Sequence, residues 1–582
     1  MKIVPVSTVL SSKRLSEPVL NALIPNVDNY KVLLMQPRGY IEVNAGVRNH
    51  DRNLALRQFN RFLAHAKETE ADLVVTPEYS MPWESLIDAI KTGNGPKEGK
   101  VWALGCESIT YADLKKLKKL LSLSAEMLFE KLPSDPGRFV SPLAYVFLAP
   151  DVSGENAPRT VILVQFKTCP MGDKDHFEVD GLQKGTIIYQ FGGTDRKIRL
   201  ISLICSDIFE FKDEDAERIY KEALILHIQL NKNPRHELFQ GCRSRLLGYD
   251  GDETEILCLN WAANIELQSD GVSIPWYNIA GSAWYLKSDD FDARDKTLCA
   301  NHRRGLYYTR LQSHRAHALF FNYLPAVYLI AASKVAHFGV PGAGAPRRGP
   351  QLMKIFTWNA LTDDWTEQAV AEDGFLDVVG DSGPGKQELL NIAARNPFEA
   401  ERVLALSAGS IGRKEEWHDP QYMDSCIIGS AEIIRRITFA QDTNLEAQGF
   451  RTARLKRFGH LWDILSDAKQ LPPALTDFKR GFSFGWSPVH SHQNAVSTKD
   501  KYATVIYMGE EANSDQIETV YTIAAELLHR GFSDPKDSHE ARQRLVVWFR
   551  GHDDKIHIFG RYRFLGYTST NDKSEYDIGR AE

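Results

Sequence analysis

Short apolar runs bounded by polar or turn residues recur along the first half of the chain. Residues 31–35, 73–75 and 161–164 are runs of this kind, which is typical of strands buried on both faces of a sheet. Between the first two runs, residues 53–68 carry leucines and phenylalanines near helical spacing. This order predicts a strand–helix–strand unit of the kind that joins parallel strands.

The same pattern predicts further strands in the next part of the chain. Five more runs have the composition of strands, at residues 101–104, 143–148, 200–204, 223–228 and 256–259. Residues 113–132 interrupt the series, because lysine pairs and leucines are spaced there as in an amphipathic helix. The pattern predicts an α/β fold over residues 31–338 with a helical insertion at about 110–135.

The pattern changes after a segment rich in glycine and proline. Residues 339–350 contain four glycines and three prolines, which is typical of a linker. Beyond it, residues 397–466 are predicted to be mainly helical, and residues 502–561 to form a strand, a helix and two strands. The predicted parts of the chain are therefore an N-terminal extension, an α/β domain, a linker and an α+β domain, over residues 1–30, 31–338, 339–350 and 351–582.

Composition narrows the class of protein. Of the 582 residues, 43% are hydrophobic and 25% are charged, which excludes a disordered, collagen-like or disulfide-framework protein. The formal net charge of -6 argues against a protein that coats nucleic acid. The seven cysteines stand singly and include no CxxC pair, so we expect a reducing, cytoplasmic location. The uncharged run 316–333 contains histidine, asparagine and proline and is interpreted as buried core, so no membrane span is expected.

Three chemically reactive residues each stand just beyond the end of a predicted strand. These are Glu78, Lys167 and Cys205. Ligands bind at the carboxyl ends of the strands in α/β sheets. If the three strands are parallel neighbours, a carboxylate, an ammonium group and a thiol therefore meet at one place. They would serve as base, cation and nucleophile.

This set of groups has a coherent chemistry. Glu78 can deprotonate the thiol of Cys205, and the thiolate can attack a carbon that is bonded to nitrogen. Lys167 and the backbone N–H after Cys205 can stabilise the charge on the oxygen, where one such donor is typically worth about 3 kcal/mol. Glu78 can then protonate the leaving nitrogen and activate a water against the thioester.

The motifs around these residues resemble those of the nitrilase superfamily, the carbon–nitrogen hydrolases with a Glu–Lys–Cys triad. The matching segments are VVTPEYS, FKTCP and LICSDIF. The resemblance covers about residues 31–338 and implies that Glu78, Lys167 and Cys205 are the triad. It also implies that Glu178, 11 residues after Lys167, orients the lysine and assists proton transfer.

The resemblance carries expectations about fold and partners. It implies a four-layer α–β–β–α sandwich, here followed by an extra α+β C-terminal domain. It also implies a small-molecule amide substrate and a homodimer or larger homo-oligomer, and it calls for no cofactor and no metal.

Four further residues are predicted to contact the substrate. Ser206 stands where many members carry an aromatic or acidic residue, so it would leave one wall of the pocket smaller or more polar. Asp207 is the acid of the third motif. Arg243 could bind a substrate carboxylate through two hydrogen bonds, although a structural ion pair fits as well. Trp83 could border the pocket or simply pack.

Two other functions stay open at this point. The length of the chain and the sequence of residues 227–239 resemble those of nitrilase-like modules in bacterial phage defence. In such a protein the fold would act as a scaffold, effector or sensor. A protein or nucleic acid could then bind the C-terminal region. Transfer of an acyl group or ammonia to an acceptor is the other alternative. Only residues 380–387 (GDSGPGKQ), which nearly match a phosphate-binding P-loop, hint at an acceptor site.

Overall fold

The computed structural model divides the chain into two compact units, Met1–Glu372 and Asp373–Glu582. Each unit is described by itself. The structure describes the whole chain except residues 27, 173–176, 194–197, 211–213, 215–221, 235–236, 249–253, 277–279, 287–295, 312–315, 333–349, 381–384, 412–436, 442–444, 470, 486–491, 511 and 560–582.

The first unit is rich in β-structure. Its strands are β1 (Lys2–Pro5), β2 (Tyr30–Gln36), β3 (Tyr40–Val43), β4 (Val47–Asn49), β5 (Leu73–Met81), β6 (Val101–Cys106), β7 (Ile109–Thr110), β8 (Glu126–Phe129), β9 (Phe139–Val140), β10 (Pro142–Ala149), β11 (Arg159–Phe166), β12 (Ile187–Phe191), β13 (Arg199–Ile204), β14 (Ala223–Ile228), β15 (Thr254–Leu259), β16 (Ile265–Ser269), β17 (Val272–Trp276), β18 (Ala283–Leu286), β19 (Leu306–Leu311), β20 (Ala316–Phe321), β21 (Ala326–Ala332), β22 (Gln351–Asn359) and β23 (Asp364–Gln368). Its helices are α1 (Val6–Ser11), α2 (Arg52–Glu68), α3 (Trp83–Lys91), α4 (Tyr111–Leu120), α5 (Phe177–Gly181), α6 (Glu237–Gly248) and α7 (Lys296–Arg303), with 3-10 helices at Asn21–Leu23 and Cys205–Glu210.

Two large sheets dominate this unit. One has nine strands in the order β23-β22-β21-β2-β5-β6-β10-β11-β8, and the other has eight in the order β1-β12-β13-β14-β15-β18-β20-β19. A smaller sheet has the order β17-β16-β3-β4. Along β10, Ala144 and Val146 belong to the core that includes α2 and α3, whereas the rings of Tyr145 and Phe147 contact Phe191 of the eight-stranded sheet. Alternate residues of one strand therefore face a helical layer and the second sheet.

The apolar runs that the sequence identifies are strands in the structure, and the first unit is an α/β fold. Strand β2, helix α2 and strand β5 form the predicted unit, with β2 and β5 parallel. The helix predicted over residues 113–132 is shorter than expected, because α4 ends at Leu120 and β8 follows it. Strand β8 pairs with β11 at the edge of the nine-stranded sheet, and this tertiary pairing outweighs the helical spacing of the leucines.

The first unit also extends beyond both predicted boundaries. Strand β1, from the predicted N-terminal extension, pairs with β12. Strands β22 and β23, predicted to belong to the second domain, continue the nine-stranded sheet from β21. Apolar side chains of this hairpin are buried against α2. The hairpin therefore belongs to the first unit, and the boundary between the two units follows Glu372. Residues 339–349 of the predicted linker lie outside the described residues.

The second unit combines helices with a small sheet. Its elements are α8 (Phe375–Val379), α9 (Lys386–Arg395), α10 (Pro397–Ser407), α11 (Leu445–Ser466), β24 (Phe482–Phe484), β25 (Ala495–Ser497), β26 (Tyr502–Tyr507), α12 (Ser514–Arg530), α13 (Pro535–Gln543), β27 (Leu545–Arg550) and β28 (Ile556–Ile558), with a 3-10 helix at Pro473–Arg480. The sheet has the order β24-β25-β26-β27-β28, and β26 is parallel to β27. The strand, helix and two strands predicted over residues 502–561 are present.

The P-loop resemblance receives no support from the local structure. A P-loop follows a strand, but the apolar segment before GDSGPGKQ forms helix α8, whose Phe375 and Val379 are buried in the core of the unit. Residues 381–384 lie outside the described residues. In the part of the chain that the structure describes, no helix is long and apolar enough to cross a membrane.

Replacement of Trp365 by alanine tests whether the β22–β23 hairpin is part of the first unit. The Trp365 side chain is buried, its Nε1 donates to the carbonyl of Gln58 on α2 at 3.0 Å, and its ring contacts Trp358. We expect Trp365→Ala to lower the free energy of unfolding by about 3–5 kcal/mol, measured by urea denaturation of the full chain with circular dichroism.

The matched control is Leu361→Ala in the turn of the same hairpin, where the leucine is 97% exposed. This change should alter the free energy of unfolding by about 0.5 kcal/mol or less. Equal effects of the two substitutions would contradict the packing of the hairpin on α2.

Candidate active site

Glu78 lies on a bulged stretch of a buried strand. All nine residues of β5 are buried, and its register with β6 shifts between Thr76 and Met81. The neighbouring residue of β6 is Gly105, where a Cβ atom would lie only 2.1 Å from the carbonyl oxygen of Pro77. Glycine at this position therefore lets the bulge form and turns Glu78 out of the strand pairing.

Lys167 directly follows β11, and two hydrogen bonds of its backbone fix its position. Its N–H donates to Ser141 O, and its carbonyl accepts from the N–H of Gly185. Its Nζ lies 2.9 Å from Oε1 of Glu78 and 2.7 Å from both carboxylate oxygens of Glu178. The ammonium group is therefore enclosed between two carboxylates, and all three side chains are buried.

Glu178, from helix α5, is fixed by several donors. Besides Lys167, Tyr79 Oη donates to its Oε1 and the N–H of Met171 donates to its Oε2, each at 2.7 Å. Burial alone would raise the pKa of Glu178, but the charge of Lys167 and these hydrogen bonds outweigh it and lower the pKa. Glu178 is thus the permanently ionised partner of the lysine.

Cys205 reaches the site from the other large sheet. It follows β13 and begins the 3-10 helix Cys205–Glu210, with a left-handed φ of 46°. The condition that the three strands are neighbours in one sheet is not met: β5 and β11 are separated by β6 and β10, and β13 belongs to the eight-stranded sheet. The second sheet also supplies Leu230, whose N–H donates to Oε2 of Glu78 at 3.0 Å. The three residues meet between two sheets and not along one sheet edge.

The charges of the site determine its resting protonation. Burial raises the pKa of Glu78 to about 7, with the charge of Lys167 opposing the shift and that of Glu178 adding to it. Burial also raises the pKa of the Cys205 thiol, and Lys167 only partly offsets this. Burial would lower the pKa of Lys167, but the two carboxylates raise it. Near neutral pH the site therefore holds a neutral thiol beside an ammonium group and a carboxylate that can accept a proton.

Asp207 and Ser206 form hydrogen bonds to the backbone, and their predicted contact with the substrate stays a prediction. Asp207 Oδ1 accepts from the N–H groups of Thr168 and Cys169 at 2.7 and 3.0 Å, and its Oδ2 accepts from that of Ile204 at 3.0 Å. Ser206 Oγ donates to Cys169 O at 2.6 Å. Burial raises the pKa of Asp207 to about 6, and the backbone donors oppose this shift. Both side chains tie the Lys167 loop to the Cys205 turn, so their contacts are those of positioning residues.

Arg243 and Trp83, the other two predicted contacts, are also engaged elsewhere. Arg243 Nη2 donates to Pro234 O at 3.2 Å, and its guanidinium group lies 5.3 Å from the centre of the Tyr285 ring. Trp83 Nε1 donates to Glu107 O at 2.9 Å, and the ring belongs to the core that includes α2 and α3. These are structural contacts, and a role of either residue in substrate binding stays a prediction.

Three residues that the sequence reasoning did not identify complete the surroundings. Tyr79 binds Glu178, Ser141 Oγ donates to Glu78 Oε1 at 3.1 Å, and His227 Nε2 lies 2.8 Å from Cys205 O. Tyr79 adjoins the glutamate in the first motif, and His227 is the one polar residue of an otherwise aliphatic strand. Both features could have pointed to the site, whereas Ser141 has no such signal. Among the described residues, no group of three His, Cys, Asp or Glu could hold a metal ion.

Comparison with known proteins gives resemblance in fold only. No protein-family model and no curated protein matches the chain. Similar solved structures include glutamine-dependent NAD+ synthetase from Acinetobacter baumannii (13% identity, 69% of this chain and 57% of that chain, TM-score 0.30). They also include an amidase from Nesterenkonia sp. (16%, 45% and 84%, 0.26) and a CN-hydrolase superfamily protein from Xanthomonas campestris (11%, 44% and 82%, 0.26).

The extent of these similarities is limited. The chain spans little more than half the length of the synthetase. The amidase from Nesterenkonia AN1 is from the nitrilase superfamily. Because the identities and TM-scores are low, they say nothing about the substrate, and function must be argued from the geometry of the site.

Replacement of Asp207 by asparagine tests its positioning role. The new amide NH₂ group would face at least one backbone N–H that now donates to the carboxylate, leaving buried donors without an acceptor. We expect Asp207→Asn to lower the free energy of unfolding by about 1–3 kcal/mol, measured by urea denaturation. The control Asp180→Asn, at an exposed position of α5, should leave it nearly unchanged. A loss of stability no greater than that of the control would contradict the role.

Proposed function

We propose that the chain is a hydrolase of the nitrilase superfamily that cleaves the C–N bond of a small amide through a thioester at Cys205. The observation that carries the proposal is the enclosed Lys167 ammonium group, 2.9 Å from Glu78 and 2.7 Å from Glu178, within electrostatic reach of the Cys205 thiol. A base, a cation and a nucleophile in one dry site are the groups that acyl transfer requires.

The first step of the proposed reaction forms the thioester. Glu78 accepts the thiol proton while Cys205 Sγ attacks the amide carbon. Burial raises the pKa of Glu78, which makes this carboxylate a stronger base than it would be in water. Burial also raises the pKa of the thiol, and the charge of Lys167 opposes that shift. The negative charge that develops on the amide oxygen is stabilised by Lys167 Nζ and the N–H of Ser206.

The second step releases ammonia and then the acid. Glu78, now protonated, gives its proton to the leaving nitrogen, and the C–N bond breaks. The same carboxylate then deprotonates a water molecule that attacks the thioester, and the thiol is regenerated. Glu178 keeps Lys167 charged throughout, because it stays ionised when Glu78 is protonated. The proposal includes the four-layer sandwich and the homo-oligomer that the family resemblance implies.

Loss of the Cys205 thiol should abolish hydrolysis. We expect wild-type protein, incubated with aliphatic and aromatic amides and glutamine, to release ammonia and to form an acyl adduct visible by intact-mass spectrometry. Cys205→Ala should lower the rate by at least about 1,000-fold, because catalysis through the thioester is lost.

The matched control is Cys169→Ala. This half-buried thiol lies two residues after Lys167 and has no step in the proposed reaction, so most of the activity should remain. Ammonia release that is unchanged in Cys205→Ala would contradict the proposal. Silence of the wild type across the panel would favour a scaffold or a partner-dependent protein.

The pKa of Glu78 predicts the pH dependence of the reaction. The base must be ionised to accept the thiol proton, and its pKa is about 7. The value of kcat/KM should therefore fall about tenfold per pH unit below that point and level off above it. Steady-state rates between pH 5 and 9 with an uncharged amide test this. A flat profile would exclude Glu78 as the base.

A further inference from the structure

A fully buried histidine lies directly behind the candidate nucleophile. His227 is on β14, the strand next to β13 in the eight-stranded sheet, and none of its surface is exposed. Its ring stacks on Phe239 of helix α6, with 5.9 Å between ring centres. Its Nε2 lies 2.8 Å from the carbonyl oxygen of Cys205. The reaction proposed above gives this residue no role.

The hydrogen bonds of His227 fix its tautomer. A carbonyl oxygen can only accept, so Nε2 must carry the hydrogen. Gln229 Nε2 lies 2.8 Å from Nδ1 and 3.2 Å from Nε2, and the shorter contact is a bond donated to Nδ1. Burial lowers the pKa of His227 to about 3, with the hydrogen bond to Cys205 O opposing the shift and the charges of Arg243 and Lys167 adding to it. The ring is therefore neutral, with its single N–H directed at Cys205.

The carbonyl that accepts this bond belongs to the reacting part of the chain. It is half of the peptide group whose other half is the N–H of Ser206, the proposed donor to the oxyanion. A hydrogen bond on the carbonyl of a peptide group polarises its N–H and strengthens it as a donor. The same bond restrains Cys205, whose φ of 46° is a strained conformation for a residue with a side chain.

The segment that carries His227 also holds the base. Three residues further along the chain, the N–H of Leu230 donates to Glu78 Oε2 at 3.0 Å. The N–H of Asn231 donates to Oδ1 of Asn260 at 3.1 Å. Residues 227–231 therefore fix the peptide of the nucleophile at one end and the carboxylate of the base at the other.

We propose that His227 is a positioning residue for the oxyanion site: its Nε2–H orients and polarises the Cys205–Ser206 peptide so that the Ser206 N–H faces the developing charge. This inference rests on the proposed function. His227 would act on the transition state without touching the substrate. Removal of the Nε2–H should therefore weaken the binding of the oxyanion more than it lowers the reactivity of the thiol.

The test compares two probes of Cys205 in the full-length chain. Butyraldehyde adds to the thiol: a C–S bond forms, the carbonyl π bond breaks, and the thiol proton ends on the oxygen. That oxygen of the hemithioacetal occupies the oxyanion site. Iodoacetamide alkylates the same sulfur and expels iodide without forming an oxyanion. The dissociation constant of the aldehyde thus reports the oxyanion site, and the alkylation rate reports the thiol.

Two substitutions of His227 separate the donor from the volume of the side chain. His227→Met removes the donor and should weaken butyraldehyde binding and lower kcat/KM by about 10–100-fold. This is less than the fall of about 100–1,000-fold that is typical for loss of a whole oxyanion donor, because the Ser206 N–H itself remains. KM and the alkylation rate should change by less than about threefold. His227→Gln places an amide N–H near the position of Nε2 and should recover most of the loss.

A third substitution keeps the inference falsifiable if His227→Met does not fold, as judged by circular dichroism. Gln229→Met removes the shorter of the two polar contacts to Nδ1 and leaves Cys258 Sγ at 3.8 Å. It should therefore weaken the preference for the Nε2–H tautomer and give a smaller loss in the same direction. Butyraldehyde binding equal to wild type, or a parallel fall in alkylation rate, would overturn the inference. The proposed function fails separately if the wild type shows neither Cys205-dependent ammonia release nor aldehyde binding.

Discussion

The burial of one ammonium group between two carboxylates is the interaction on which the rest of the site depends. Lys167, Glu78 and Glu178 are each about 1% exposed, and moving such ions out of water costs several kcal/mol apiece. One positive charge can compensate only one carboxylate fully. Glu178 takes that place through two short bonds to Lys167, so Glu78 carries the excess charge and binds a proton most readily. Desolvation therefore raises the pKa of Glu78 into the range in which a carboxylate can act as a base near neutral pH.

This constraint also explains why the backbone is irregular around the site. The side chains of a regular strand in these sheets point into apolar layers. To place charged side chains together between the sheets, the backbone must leave the regular strand conformation. Tyr79 and Cys205 meet this need with left-handed φ angles of 58° and 46°, and Gly105 leaves space for the bulge beside Glu78. Such conformations persist only where the surroundings over-determine them. Here Asp207 does so for the Cys205 turn, through backbone N–H groups drawn from two segments.

The sequence predicted the elements and the reactive residues better than it predicted their arrangement. Strands buried on both faces are continuous apolar runs, so β5, β11 and β13 could be recognised. Lys167 and Cys205 directly follow β11 and β13, whereas Glu78 lies in the bulged part of β5 beyond its apolar run. An apolar run contains no information about its neighbours, however, and the three strands are not neighbours along one sheet edge, which was the condition under which the residues were expected to meet. The hydrogen bonds by which Asp207 and Ser206 hold the Lys167 loop could not be predicted for the same reason, since these backbone partners lie 39 and 37 residues away in the sequence.

A polar residue within a buried aliphatic strand is the signal that such reasoning can still use. His227 stands in ALILHI, where an imidazole without partners would cost more than the aliphatic residue it replaces. Its presence requires a nearby acceptor and donor, and these are Cys205 O and the amide of Gln229. The acceptor is the backbone carbonyl of Cys205, the proposed nucleophile. The one polar side chain of this strand therefore lies directly beside the residue that is proposed to react. In the proposed reaction the second sheet is therefore part of the catalytic arrangement, and not only the layer that covers the first.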